Sequence, residues 1–250
     1  MRIDLNCDMG ESFGAWRMGD DAAILEHVTS ANIACGFHAG DPGTMRATAK
    51  AALAKGVAIG AHPSFPDLQG FGRRPMTLRP DEVYDLCVYQ IGALAAFARA
   101  AGGRLHHVKA HGALSNMAVR EYALAEAITQ AARDVDPDLI SYAQAGTELV
   151  RAAERIGLPF ASEVFADRSY QDDGQLTPRS RPGAMIENVE VSIAQVLRMV
   201  REGKVRSVSG ADVAVRADTV CVHGDEPHAL EFVRRLREAL EREGVTVAPC

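Results

Sequence analysis

Val57-Ala58-Ile59-Gly60-Ala61-His62-Pro63-Ser64-Phe65-Pro66-Asp67 is the stretch on which the fold turns. It begins as a short apolar run of strand length and changes to polar and ionisable residues at His62. Behind it lies a helical pattern over residues 42–55, opened by Pro42 and followed by Gly56. Ahead lie a loop over 62–78, rich in Gly, Pro, Arg and Asp, and a helical pattern over 80–101, opened by Pro80 and followed by Gly102. Proline suits a first helical turn and glycine the position just past a helix end. A short strand between two helices is the unit of a parallel α/β sheet.

The unit recurs in both directions. Strand patterns fall at residues 2–6, 31–35, 107–109, 139–143, 160–165 and 219–222, and helical patterns at 121–133, 146–156, 189–201 and 227–243. Residues 204–216 read as a strand or a small hairpin, and 166–184 as a second long loop; long loops inside a compact domain are usually functional or disordered. No linker, repeat or low-complexity tract divides residues 1–250, so one domain is expected. Polar residues gather directly after the strands: Asn6 and Asp8, His38 and Asp41, His62 and Asp67, Lys109 and His111, Glu163 and Asp167, His223 and Asp225. In a closed (β/α) barrel all strand ends meet at one mouth, whereas an open doubly wound sheet shares a crevice only at its switch point. The placement predicts an α/β fold with a closed parallel barrel.

The 250 residues are 47% hydrophobic and 24% charged, an ordinary globular balance. A formal net charge of -6 supplies no basic excess for nucleic acid or an anionic membrane. No apolar signal run opens the chain and no stretch reaches membrane-span length. The five cysteines are scattered without a Cys-x-x-Cys pair, which suits free thiols in a reducing cytoplasm. A phosphate loop, a nucleophile elbow and a dinucleotide fingerprint are all absent from the sequence, so any ATP is held outside a standard cradle.

Each candidate residue has a structural reading beside the functional one. Asp41, directly before Pro42, reads better as a helix cap. Asp8 reads as functional, because Gly10 follows and no helix starts at once. A single strand-end histidine is often only hydrogen-bonded, but His38, His62, His111 and His223 are four of eight, and their convergence favours catalysis or ligation. His27, His106 and His228 read as structural, and Cys35 as a buried thiol rather than a nucleophile beside His38. Arg73 and Arg74, after Gly70-Phe71-Gly72, are either anion donors or solvated surface.

The blocks Leu5-Asn6-Cys7-Asp8-Met9-Gly10-Glu11, Asn32-Ile33-Ala34-Cys35-Gly36-Phe37-His38-Ala39-Gly40-Asp41 and Gly60-Ala61-His62-Pro63-Ser64-Phe65-Pro66-Asp67 resemble the LamB/YcsF family. So do Gly70-Phe71-Gly72-Arg73, Glu163-Val164-Phe165-Ala166-Asp167-Arg168 and Cys221-Val222-His223-Gly224-Asp225, in family order. The resemblance implies a seven-stranded TIM-like barrel related to the polysaccharide deacetylases. It also implies ATP-dependent opening of 5-oxoproline to L-glutamate, with ATP and Mg2+ as cofactors and 5-oxoprolinase subunits B and C as partners. One block departs: the family usually has Lys-Pro-His-Gly-Ala-Leu-Tyr-Asn, and this chain has Lys109-Ala110-His111-Gly112-Ala113-Leu114-Ser115-Asn116.

For that reaction Asp8 is expected as the base, Lys109 and His111 as electrostatic stabilisers and His223 as the acid. Asn6, His38, His62, Arg73, Glu163, Asp167 and Arg168 complete the expected substrate-binding set. Lys109→Met is expected to fold normally and lose roughly 10²–10³ in turnover. A rival reading is a metal-dependent deacylase or amidohydrolase with Asp8, His38, His62 and His111 as ligands. A third is a binding protein that captures small lactams without turnover. A homo-oligomer is compatible with all three.

Overall fold

In a computed structural model that describes residues 1–222 and 229–250, the parallel strands close on themselves. They are β1 (Arg2–Met9), β2 (Ser30–Ala34), β3 (Ala58–His62), β4 (His107–Val108), β5 (Ile140–Gln144) and β6 (Phe160–Phe165), followed after a short hairpin by β9 (Thr219–Val222). Neighbours pair in that order, and β9 returns to β1 with Asn6 opposite Cys221, completing a seven-stranded barrel. The hairpin is β7 (Lys204–Arg206) with β8 (Asp212–Ala214), and β10 (Thr246–Val247) extends the start of β1.

Around the barrel run α1 (Asp21–Ile24), α2 (Pro42–Ala54), α3 (Pro80–Ala100), α4 (Gly112–Ala118), α5 (Tyr122–Val135), α6 (Glu148–Ile156), α7 (Val189–Glu202) and α8 (Ala229–Arg242). α4 has no counterpart among the helical patterns of the sequence; seven residues are too few to show a period. α2 starts as expected, with the Asp41 carboxylate accepting the Thr44 N–H at 2.8 Å and Pro42 in the first turn. No described helix is long and apolar enough to cross a membrane.

The alternation along β1 explains where the core sits. Ile3, Leu5, Cys7 and Met9 belong to the apolar layer between strands and helices, together with residues such as Ile33, Ile59, Ile91, Leu94 and Val220. Successive strand residues face opposite sides, so Asp4, Asn6 and Asp8 point into the barrel. There they meet Ser30 and Asn32 of β2, Thr219 of β9, and Lys109, which lies one residue past β4. The barrel interior is thus polar along this wall, and the apolar core is the shell outside it.

Candidate active site

Lys109, one residue past β4, is held in register by its N–H to the Ala61 carbonyl at 2.9 Å. Its Nζ lies 3.1 Å from Asn6 Oδ1, 3.0 Å from Asp8 Oδ1, 3.1 Å from Cys221 Sγ and 2.8 Å from Glu163 Oε1. Burial opposes the charge, yet Asp8, Cys221 and Glu163 together hold the ammonium pKa well above its usual value. Burial raises the Glu163 carboxyl against the lowering effect of Lys109. An ammonium has three donors and here faces four acceptors, so no N–H is spare for a ligand.

Beside this ion cluster stand the histidines. His62 ends β3, His38 lies in the loop after β2, and His111 precedes α4 with its N–H on the Pro63 carbonyl at 2.9 Å. His62 Nδ1 is 2.7 Å from the Lys109 carbonyl, and His111 Nε2 is 2.9 Å from the Phe71 carbonyl. A carbonyl only accepts, so both these ring nitrogens carry a proton, and in the neutral form of each ring the opposite nitrogen presents a lone pair. Those two, His62 Nε2 and His111 Nδ1, face each other at 3.0 Å. Asp8 Oδ2 is 3.3 Å from His62 Nε2, and Glu11 Oε1 is 3.5 Å from His38 Nε2 and 4.0 Å from His111 Nδ1. The His38 and His111 rings stack at 3.9 Å, and neither ring nitrogen of His38 has a hydrogen-bond partner among the described residues. Burial, reinforced by the neighbouring imidazoles, pushes His38 far below its usual pKa and His111 down to about 3.

Two bare nitrogens in contact repel unless a cation lies against both. Glu11, His38, His62 and His111 each offer one donor atom within 4.8 Å of the others and could hold a metal ion. Three imidazoles and a carboxylate, with two rings clamped by backbone carbonyls, suit zinc or a neighbouring first-row metal. The residues present therefore fit a metal.

A loop covers this group. Asp67 accepts from the N–H groups of Gly70 and Arg74 at 3.0 and 3.2 Å and from Arg74 Nε at 2.8 Å, bonds that hold its pKa down to about 2. Phe71 takes φ 54°, a left-handed conformation costly for a side chain of its size, and so aims its carbonyl at His111. A Cβ on Gly72 would lie 2.3 Å from Ser64 Oγ and 2.8 Å from His38 Cβ, so only glycine passes there.

Of the residues expected from sequence, Asn6, Asp8, His38, His62, Lys109, His111 and Glu163 come together at one barrel end. Arg73 stands at the exposed rim with its guanidinium 5.1 Å from the Phe71 ring centre. Arg168 is buried, donates to the Thr177 carbonyl at 2.7 Å and has no hydrogen-bond partner for its Nε among the described residues; Asp167 precedes it in the same loop. His223 lies outside the described residues. Glu11, Asn32 and Cys221, which lie inside the family blocks without an expected role, join the site, as does His107 from the strand pattern at 107–109. Glu11 stands one position past Gly10, whose φ of 67° turns the chain back toward the mouth, and no strand pattern marks that turn.

Residues 3–250 match the LamB/YcsF family model. The A subunit of 5-oxoprolinase from Bordetella pertussis is 66% identical over 245 residues, 98% of this chain and 97% of that protein. Among solved structures, the lactam utilization protein from Thermus thermophilus superposes with a TM-score of 0.96 at 50% identity, covering 100% of both chains. A family 4 carbohydrate esterase from Streptomyces lividans shares the fold alone, at TM-score 0.51 and 13% identity over 100% of this chain and 98% of the esterase.

Proposed function

The chain belongs to the LamB/YcsF family, and we propose that it is the A subunit of a cytoplasmic, ATP-dependent 5-oxoprolinase working with subunits B and C. The relative named as a 5-oxoprolinase component and the lactam utilization protein support a 5-oxoprolinase role and a hydrolytic reaction on a lactam. The observation that carries the reading is the Asp8 carboxylate, shared between Lys109 at 3.0 Å and His62 at 3.3 Å where the histidines meet.

The lactam is a stabilised amide whose closed ring is favoured over the open amino acid. Phosphorylation of the amide oxygen by ATP, with Mg2+, makes the carbon electrophilic and drives the equilibrium. Water adds, the C–N bond breaks, the nitrogen takes a proton, and a second water releases phosphate. Lactam, ATP and two waters thus become glutamate, ADP and phosphate. Asp8 accepts the proton of the attacking water through Oδ2, because Lys109 and Asn32 hold Oδ1. Lys109 keeps Asp8 ionised in a buried site, and His223 supplies the proton to nitrogen. Arg73, Asp167 and Arg168 bind the polar ends of the substrate. A metal on Glu11, His38, His62 and His111 would supply a polarised water or carbonyl.

The test is glutamate release from 5-oxoproline, measured for this chain alone and with B and C, each with and without ATP. Turnover only with ATP and both partners is expected; no glutamate from the assembled complex would refute the reading. The facing lone pairs of His62 and His111 favour a second reading, a metal-dependent amide hydrolase that needs no ATP. It would show as ATP-independent ring opening by the chain alone, abolished by a chelator.

A further inference from the structure

We propose that His107 is a positioning residue which, acting through the side-chain amide of Asn32, fixes the orientation of the Asp8 carboxylate. The proposal rests on the reading of Asp8 as the group that takes a proton from water, but its geometry stands apart from any substrate.

Donor and acceptor roles along the interior are forced in sequence. Lys109 only donates, so the Asn6 atom 3.1 Å from its Nζ is the oxygen. The Asn32 atom lying 2.8 Å from that oxygen and 2.8 Å from Asp8 Oδ1 must then be the nitrogen, because ionised Asp8 only accepts. Both N–H bonds of Asn32 are spent there. Its oxygen consequently faces His107 Nε2 at 2.7 Å, and that nitrogen carries the proton. Among the described residues no other donor reaches this oxygen, and Asn32 is fully buried. Without the His107 N–H, the Asn32 oxygen is left buried with no donor and nothing fixes the rotation of its amide. The N–H that Asn32 gives Asp8 Oδ1 is then no longer held in place.

Two features show that the strands make room for this contact. His107 lies on β4 and Asn32 on β2, so the ring must cross β3, where residue 60 pairs with His107. A Cβ at residue 60 would sit 2.0 Å from His107 Nε2, and the residue there is Gly60. The Tyr142 ring stacks on the imidazole at 4.0 Å and 12°, holding its plane. The ring is fully buried, and that burial pushes its pKa well below the usual histidine value, consistent with the neutral tautomer the contact demands.

The test uses the full chain with its B and C partners. His107→Phe keeps a ring on Tyr142 and removes the donor; His107→Gln restores an N–H at similar reach. Expected for His107→Phe is a fall of roughly 10–100-fold in kcat with KM near wild type, the scale of losing an outer partner of a functional group. His107→Gln should recover most of it at equal thermal stability. Gly60→Ala, which displaces the ring, should reproduce the kcat loss, and the double variant should be no worse than either single. Separately, nitrogen-15 NMR of the wild-type chain should show His107 as the Nε2–H tautomer. An Nδ1–H tautomer, a fully active His107→Phe, or a folded His107→Gln no faster than His107→Phe would each overturn the proposal. If the wild-type complex opens no lactam, the proposed function fails; the tautomer and the Asn32 orientation in a crystal structure of His107→Phe still decide this one.

Discussion

Lys109→Met removes one cation from between two carboxylates, and the structure sets the scale of the consequence. The side chains of Lys109, Glu163 and Asp8 are 7%, 4% and 15% exposed, so the pairs at 2.8 and 3.0 Å are largely out of water. Deleting one partner of a buried pair costs about 3–5 kcal/mol, because the charge left behind keeps its desolvation penalty. In a chain of 250 residues each kcal/mol moves the melting temperature by about 2–4 °C, so Lys109→Met should melt roughly 6–20 °C below wild type. This differs from the expectation of normal folding drawn from sequence alone, which treats Lys109 as a lone cation facing ligand. A second substitution sharpens the assay: Glu163→Gln removes a stranded charge, so Lys109→Met with Glu163→Gln should melt above Lys109→Met alone. Melts followed by circular dichroism on the isolated chain decide it without any activity measurement. A single Lys109→Met variant within a degree or two of wild type would refute the buried cluster as described.

Other parts of the site carry shorter predictions. Gly72→Ala places a methyl against Ser64 and His38 at a φ of 64° and should destabilise by more than about 1 kcal/mol, read as a lower melting temperature. Asp67 has a folded pKa lowered to about 2, so its contribution is present above the unfolded carboxylate value near 4 and lost as pH falls toward 2. Asp67→Asn should therefore flatten the dependence of melting temperature on pH in that window, and an unchanged acid limb would count against the loop geometry. Calorimetric titration of chelator-treated protein with zinc should show one tight site, weakened at least tenfold in Glu11→Gln and in His38→Ala; equal binding in all three would remove the cluster as a metal site.

Much of the barrel was legible because its units are local. Pro42, Gly56, Pro80 and Gly102 punctuate helices by their own backbone preferences, and the strand ends carry the polar residues that converge. The interior was legible only in part. In Asp4-Leu5-Asn6-Cys7-Asp8 the polar and apolar sets alternate cleanly, yet a period of two says nothing about which set faces helices. A seven-stranded barrel with helices outside puts the apolar set against them and leaves Asp4, Asn6 and Asp8 to fill the middle. Glu11 and the short helix α4 were not legible, because one follows a glycine turn and the other is too brief to show a period.

What sequence proximity hides most is that the ion cluster and the histidine cluster are one object. Asp8 gives Oδ1 to Lys109 and Asn32, and turns Oδ2 to His62, whose far nitrogen is held by the backbone carbonyl of Lys109 itself. A shift of Lys109 therefore moves both the counter-ion of Asp8 and the clamp on His62. Glu163 and His107 act on the same carboxylate from opposite sides, one through Lys109 and the other through Asn32. Asp8 is consequently the carboxylate that the two clusters share. Asp8→Asn keeps the shape but puts an N–H where an acceptor stood, either against the Lys109 ammonium and the Asn32 amide or against His62. The Oδ2 position is the only one where that N–H meets a lone pair, so the amide should settle with its nitrogen toward His62. That arrangement keeps an acceptor toward Lys109 and Asn32, gives one N–H to His62 and leaves no base, so Asp8→Asn should fold close to wild-type stability while losing at least 10²-fold in complex-supported turnover. A variant that melts normally and still turns over at wild-type rate would take the proton-accepting role away from Asp8.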